Sequence, residues 1–306
     1  MLYNSLQICQ FGLLLLGIRP YDQARFSQKR KRDVFKAHYG SLPADLADVW
    51  SDLVSTNLAE IKLTEKDQRK AGLKMFLIAN YELWVYPRNA TLISTRFDIC
   101  ESYSRGNHLW RWIGKIAGLK AEKIQWLDSL NDPNTETFII TVDGTDCRIW
   151  EKQHDVFPVD TKLCSQKFNH AALKYEIALA IFHNKIVWIN GPFKAGEKHD
   201  ITVFREEGLK AIMPEGKIGI FDRGYKTSRA DEVDMIAFPN AADSNELAAF
   251  KSRARARHET LNGRLKMFEC LNNTFRHTTE KHRMAFQAVC VLVQYQLDNG
   301  AFLFDV

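Results

Sequence analysis

Between residues 136 and 238 the apolar residues come in short, nearly unbroken runs, whereas on either side they recur at intervals of three and four. Phe138–Val142, Cys147–Trp150, Tyr175–Ile181, Ile186–Ile189, Lys217–Phe221 and Met235–Phe238 have strand length and turn-rich flanks, so they predict strands. Runs this continuous suit strands buried on both faces. Helical spacing predicts helices over Asp200–Leu209, Ser244–Phe268 and His282–Leu297. Strands interleaved with helices in this order give an α/β layer built on a mixed sheet.

The N-terminal part has a different texture. Residues 1–62 read as a helical extension, with an apolar run at Ile8–Ile18, a basic cluster at Gln28–Arg32 and a helical pattern through Leu46, Val49, Trp50 and Leu53. The apolar run falls short of the roughly 20 residues a bilayer requires, so a buried helix is expected and no membrane span. The basic cluster suits a nuclear-import signal, a phosphate contact or a solvated face. Residues 63–130 read as a second helical region. Thr64 and Asp67 cap a helix reaching Val85, Pro87 ends it, and Ala90–Phe97 follows. After a turn at Asp98–Ser102, a longer helix runs through Leu109, Trp112, Ile113, Ile116 and Leu119. This order matches a helix-turn-helix layout. Arg105, His108, Arg111 and Lys115 would share one face of its last helix, placed for phosphate contacts or forming a polar outer face. Residues 131–306 form the third region.

Composition narrows the class only slightly. The 306 residues are 45% hydrophobic and 26% charged, an ordinary globular balance, with a formal net charge of +5. A mild excess of cations is compatible with an anionic partner. The six cysteines include no CxxC pair, which argues for reduced, mostly buried thiols rather than a zinc site or disulfide framework. Neither GxxxxGK[ST] nor a GxGxxG after the first strand occurs, which disfavours nucleotide-binding enzymes.

The chemistry gathers where apolar runs stop. Phe138–Val142 leads into Asp143-Gly144, and Ile218–Phe221 into Asp222-Arg223-Gly224-Tyr225. A strand buried on both faces cannot carry a charge inside, but its end can present one at the rim of the sheet. Two carboxylates placed there on neighbouring strands repel unless a cation neutralises them. Mg²⁺ suits such a set, since it takes hard oxygen ligands and few carboxylates. A third ligand is expected from a helix packed over that rim. On the predicted helix Ser252–Phe268, Glu259 lies one residue past the apolar stripe, among Arg253, Arg255, Arg257, Arg264 and Lys266. Such cations suit a phosphate backbone beside a metal site. Each residue also has a plainer reading: Asp-Gly as a turn, Asp222 as a loop cap, Glu259 as half of a surface ion pair.

Together these motifs resemble the DDE superfamily endonucleases of the PIF/Harbinger type, relatives of a bacterial insertion-sequence transposase group. Val142-Asp143-Gly144-Thr145 resembles the first catalytic motif, Asp222-Arg223-Gly224-Tyr225 the second, and Arg257, Glu259, Asn262-Gly263-Arg264-Leu265-Lys266 and Phe268 the third. Ser165-Gln166-Lys167, Tyr175-Glu176, Gly191-Pro192, His199-Asp200 and Phe204 resemble the stretch between the first two, and Lys281-His282 the C-terminal element. Phe76–Leu119, with Tyr86-Pro87, resembles the helix-turn-helix segment preceding the catalytic domain.

The resemblance implies an RNase H-like fold in which Asp143, Asp222 and Glu259 hold two divalent ions, Mg²⁺ or Mn²⁺. The 36 residues between Asp222 and Glu259 are close to the spacing in such enzymes. It further implies nicking of DNA and joining of the freed 3′-hydroxyl, with transposon ends and target DNA as partners. A separate DNA-binding partner protein, a homo-oligomer and a nuclear location in a eukaryotic host, cytoplasmic otherwise, belong to the same expectation. The arginines and lysine around Glu259, with Arg105, Arg111 and Lys115, are the expected DNA contacts, whereas Asp146 and Asp200 are expected to be largely dispensable for cleavage. The alternatives are a transposase-derived DNA-binding protein that no longer cleaves, and another metal nuclease or phosphatase on a similar sheet.

Overall fold

The computed structural model describes residues 3–60, 66–87, 90–102, 107–151, 160–206 and 208–306. In chain order, its N-terminal helices are α1 (Ser5–Leu15), α2 (Pro20–Ala24), α3 (Gln28–Tyr39), α4 (Pro43–Ser55), α5 (Lys66–Val85), α6 (Ala90–Phe97), α7 (Asn107–Gly118) and α8 (Lys120–Lys123). Strands β1 (Phe138–Arg148), β2 (Cys164–Ser165), β3 (His170–Ala180) and β4 (Ile186–Lys194) follow, then α9 (Asp200–Glu206) and α10 (Leu209–Ile212). The chain continues through β5 (Ile218–Phe221), α11 (Ala230–Val233), β6 (Ile236–Ala237), α12 (Asn245–Lys266), α13 (Glu269–Asn272) and α14 (Thr279–Asp298).

These elements form two compact units. One comprises Met1–Lys123, Leu265–Asn273 and Glu280–Ala301, and the other Ile124–Arg264, Thr274–Thr279 and Phe302–Val306. The sequence divides the helical part at residue 62 and assigns everything after 130 to one region. In the structure α14 clusters with the N-terminal helices, as its almost fully buried face from Ala285 to Leu297 requires.

In the helical unit the apolar run is α1, opened by a reciprocal cap between Asn4 and Gln7 and buried through Ile8, Cys9, Gly12 and Leu13. Gly12 faces the Phe35 ring so closely that a Cβ would collide with it, and its carbonyl accepts a 3.0 Å bond from the Tyr39 hydroxyl. Among the described residues no helix is long and apolar enough to cross a membrane. Thr64, the residue expected to cap the helix with Asp67, lies outside the described residues, and Asp67 falls in the first turn of α5.

The sheet unit carries strands in the order β4-β3-β1-β5-β6, with β2 paired to the start of β3. β1–β3 and β3–β4 are antiparallel, while β1–β5 and β5–β6 are parallel. Antiparallel strands continued by parallel ones and flanked by helices make a mixed, RNase H-like sheet. One expectation is corrected. No turn follows Asp143: β1 runs on to Arg148, absorbing the separate strand expected from Cys147. The β3 ladder is the reason, pairing β1 continuously from Ile140 to Arg148. The helix expected over Asp200–Leu209 breaks after Glu206, with α10 starting at Leu209 behind Gly208, whose φ is 106°.

Candidate active site

The pairing of β1 with β5 ends at Val142–Phe221. Asp143 follows directly on one strand and Asp222 on the other. The two carboxyl-bearing residues therefore flank the point where the sheet opens between neighbouring strands, although only Asp222 is at a strand end. Phe221, behind Asp222, is fully buried and packs against Phe204 and Tyr225. Asp222 then caps a short turn, accepting a 2.6 Å bond from the Gly224 N–H.

Alternation along β1 puts Thr141 and Asp143 on one face. Thr141 Oγ1 lies 2.8 Å from His258 Nδ1, and Asn262 Nδ2 donates to Asp143 Oδ2 at 2.8 Å. Two strand residues advance roughly 6.7 Å and four helical residues roughly 6 Å, so α12 keeps step along β1. That register carries Arg255, Glu259 and Asn262, at helical spacing, to the wall of the cavity that Asp143 and Asp222 line. The cavity measures about 640 Å³. Burial pushes the His258 imidazole down to about 3, so it is neutral and serves packing against β1.

A third aspartate joins the pair. Asp200, at the start of α9, lines the same cavity, and its carboxylate lies so close to Gly224 that a Cβ there would collide with it. A Cβ on Gly144 would stand 3.2 Å from Asp200 Oδ1. Asp200 is thus wedged between the residues that follow Asp143 and Asp222, and accepts a 2.7 Å ion pair from Lys174 on β3. Burial, then the charge of Asp222 and more weakly that of Asp200, push the Asp143 carboxyl up to about 7, while the Gly144 N–H and, least, Lys167 pull it down. The sequence marked His199-Asp200, but the placement of Asp200 beside Gly144 and Gly224 has no sequence signature.

Two further groups hold the site: Glu176, which the sequence marked only as part of a motif, and Glu232, which it did not mark. Glu176, buried on β3, accepts from Trp188 Nε1 at 3.1 Å and from the Tyr225 hydroxyl at 3.3 Å, fixing the turn after Asp222. Burial raises Tyr225 far above its ordinary value, so it remains a donor. Glu232 is wholly buried and receives two bonds from Arg205 at 2.8 Å, with Thr227 and Lys210 completing its shell. This links α9, which begins with Asp200, to the segment after Asp222.

The expected DNA contacts separate. Arg257 is 3% exposed and donates to the carbonyls of Ala180, His183 and Phe304 and to Asn184 Oδ1, so it is a core residue holding distant segments. Arg264 donates to the Phe302 carbonyl, Lys266 to that of Leu271, and Arg253 to that of Asp305 while lying over the Phe304 ring. Arg255 alone of this set lines the cavity. Lys115 is 9% exposed and bonds the Leu58 carbonyl at 2.6 Å and Glu60 at 3.0 Å, so it too is structural. Arg111 is exposed on α7 and Arg105 lies outside the described residues. Among the described residues no three His, Cys, Asp or Glu side chains stand close enough together to hold a metal ion.

The comparisons add a family. Residues 142–294, half of the chain, match the family described as DDE superfamily endonuclease. A crystal structure of a pre-cleavage Mos1 transpososome is similar over 97% of this chain and 97% of that one, at 10% identity and a TM-score of 0.21, too low to bear on the fold. No curated protein matches. The family match begins at Val142, one residue before Asp143, and spans Asp222 and Glu259: the chain belongs to the DDE superfamily endonucleases.

Proposed function

We propose that the chain is a transposase-like, metal-dependent DNA endonuclease in which Asp143, Asp222 and Glu259 hold two divalent ions, Mg²⁺ or Mn²⁺, for nicking and strand transfer. The observation that carries this reading is the placement of Asp143 and Asp222 on neighbouring strands, each directly past the last β1–β5 pair, with Glu259 lining the same cavity. The donor set fits hard cations: the carboxylates of Asp143, Asp222 and Glu259 line one cavity, and burial with the repulsion of Asp222 and Asp200 holds Asp143 partly protonated near neutral pH. Asn262 Oδ1 is buried and has no hydrogen-bond partner among the described residues, while its Nδ2 donates to Asp143. Glu259 is exposed at the cavity wall, so completing the set calls for an inward swing of its side chain.

Within this reading each residue has a task. Asn262 fixes the Asp143 carboxylate from α12, and the Glu176–Tyr225 contact fixes the turn that presents Asp222. Arg255 supplies a cation for the phosphate backbone. Bound ions would activate the attacking oxygen and stabilise the departing one. DNA ends and target DNA are the substrates. A separate DNA-binding partner, self-association and, in a eukaryotic host, nuclear location belong to the same reading.

The test is nicking of supercoiled DNA by purified variants. Asp143→Asn and Asp222→Asn keep the shape and remove the charge, so nicking should vanish while DNA binding persists. Binding without cleavage by the wild type in Mg²⁺ or Mn²⁺ would favour a transposase-derived DNA-binding protein. Cutting without joining would favour a simple nuclease, and cutting in excess chelator would overturn the metal reading.

A further inference from the structure

The cavity that Asp143, Asp200, Asp222 and Glu259 line is lined by three lysines as well. These are Lys167, Lys174 and Lys198. They come from separate elements: the β2–β3 turn, β3 itself, and the segment leading into α9. Three cations converging from separate elements on one cleft are a feature of the fold, not of a charged stretch of sequence.

Each lysine is held in place differently. Lys174 is clamped by Asp200 Oδ1 at 2.7 Å and by the Lys198 carbonyl at 3.2 Å. Lys198 lies over the Phe193 ring and pairs with exposed Glu206 at 3.2 Å. Lys167 is exposed, and its ammonium makes no hydrogen bond or ion pair among the described residues. Its turn is nonetheless fixed: Ser165, fully buried, donates to Asp146 Oδ2, and Arg148 lies over the Phe168 ring. Asp146 thereby acquires a structural task, anchoring the turn that carries Lys167.

A DNA strand brought to Asp143 and Asp222 approaches several negative charges with its own phosphates. Cations lining the same cavity offset that repulsion, and lysine, a flexible point charge with three donors, suits a phosphate run without demanding one base sequence. The arginines of α12, apart from Arg255, are tied to backbone carbonyls and do not line the cavity.

We propose that Lys167, Lys174 and Lys198 form a phosphate-binding wall that grips the backbone of the DNA strand lying over Asp143 and Asp222, an inference that rests on the endonuclease reading above. Its ligand is the sugar–phosphate chain, without base recognition.

The experiment measures affinity for one short duplex and one single strand over a salt series, in chelator so that no metal contributes. Lys167→Ala, Lys198→Ala and their double variant are compared with the wild type and with Lys185→Ala, an equal charge loss on the β3–β4 turn. Each cleft variant should flatten the slope of log K against log salt by about 0.7–0.9, the double variant by about twice that, and Lys167→Arg should restore the wild-type slope. Lys185→Ala should leave the slope unchanged. Unchanged slope and affinity in a double variant that melts like the wild type would overturn the wall and leave the endonuclease reading standing. A wild type that binds neither DNA at any salt concentration would overturn both.

Discussion

The arginines of α12 and the lysines of the cleft look alike in sequence, yet the structure uses them for different purposes. Arg257 is buried and joins Ala180, His183 and Phe304, segments far apart in the chain, whereas Lys167 stands exposed at the cavity among charges it does not pair with. A cation next to an acidic motif is therefore no guide to ligand contact. What matters is whether folding supplies carbonyls for its donors first. Guanidinium, with five donors in a rigid fork, is the group suited to satisfying several backbone carbonyls at once.

The largest expected effect breaks the structural half of this comparison. Arg257→Ala leaves buried carbonyls without donors and should destabilise the sheet unit by about 3 kcal/mol or more, read as a lowered denaturant midpoint. The folded fraction should keep the wild-type salt slope for DNA. A changed slope with unchanged stability would return Arg257 to the binding surface.

Asp200→Asn comes next and tests whether the aspartate beside Gly144 and Gly224 is dispensable for cleavage, as the sequence led us to expect. It removes the partner of Lys174 and a charge wedged between Gly144 and Gly224, so metal-dependent nicking should fall about tenfold to a hundredfold, as for partners that orient ligands. Asp146→Asn should have a smaller effect on nicking and act through the turn bearing Lys167. Equal nicking by Asp200→Asn and wild type would confine Asp200 to packing.

Much of this site was legible, for stated reasons. Apolar runs ending in Asp143 and Asp222 located the rim, because a buried strand excludes charge except where its neighbour stops. The continuation of β1 was not legible: Asp-Gly reads as a turn, and only the β3 partner strand keeps the backbone extended through Gly144. Glu259 emerged from helical periodicity, while Lys167 and Asp200 sit on a turn and a helix start, where no period reports orientation. Burial of Arg257 and Lys115 depends on carbonyls remote in sequence and leaves no local pattern.

Buried charge in the helical unit gives a pH signature. Burial holds the Glu82 carboxyl up at about 8, with Oε2 lacking a hydrogen-bond partner among the described residues. The folded state binds this proton where the unfolded chain has lost it, so stability should fall as pH rises from about 4.5 to about 8. Glu82→Gln should flatten that decline in urea titrations, and an equal decline in the variant would assign it elsewhere. Asp143 contributes in the same direction, so the comparison is best made in protein that already carries Asp143→Asn.

Lys115→Ala should cost about 1–2 kcal/mol, since it removes the donor to the Leu58 carbonyl, and should leave DNA affinity unchanged. The smallest effect on stability belongs to Lys167→Ala, within about 0.5 kcal/mol of the wild type, as expected for an exposed side chain. Its signature is in binding alone. A large loss of stability there would erase the contrast between structural and cleft cations.

The account rests on Asp143 and Asp222 holding divalent ions at the open end of the β1–β5 pair, and calorimetric titration with Mn²⁺ in the absence of DNA tests this most directly. Wild-type protein should bind Mn²⁺, Asp143→Asn and Asp222→Asn should lose that heat while melting cooperatively, and Glu259→Gln should bind more weakly. Mn²⁺ uptake by both aspartate variants with wild-type affinity would contradict the account.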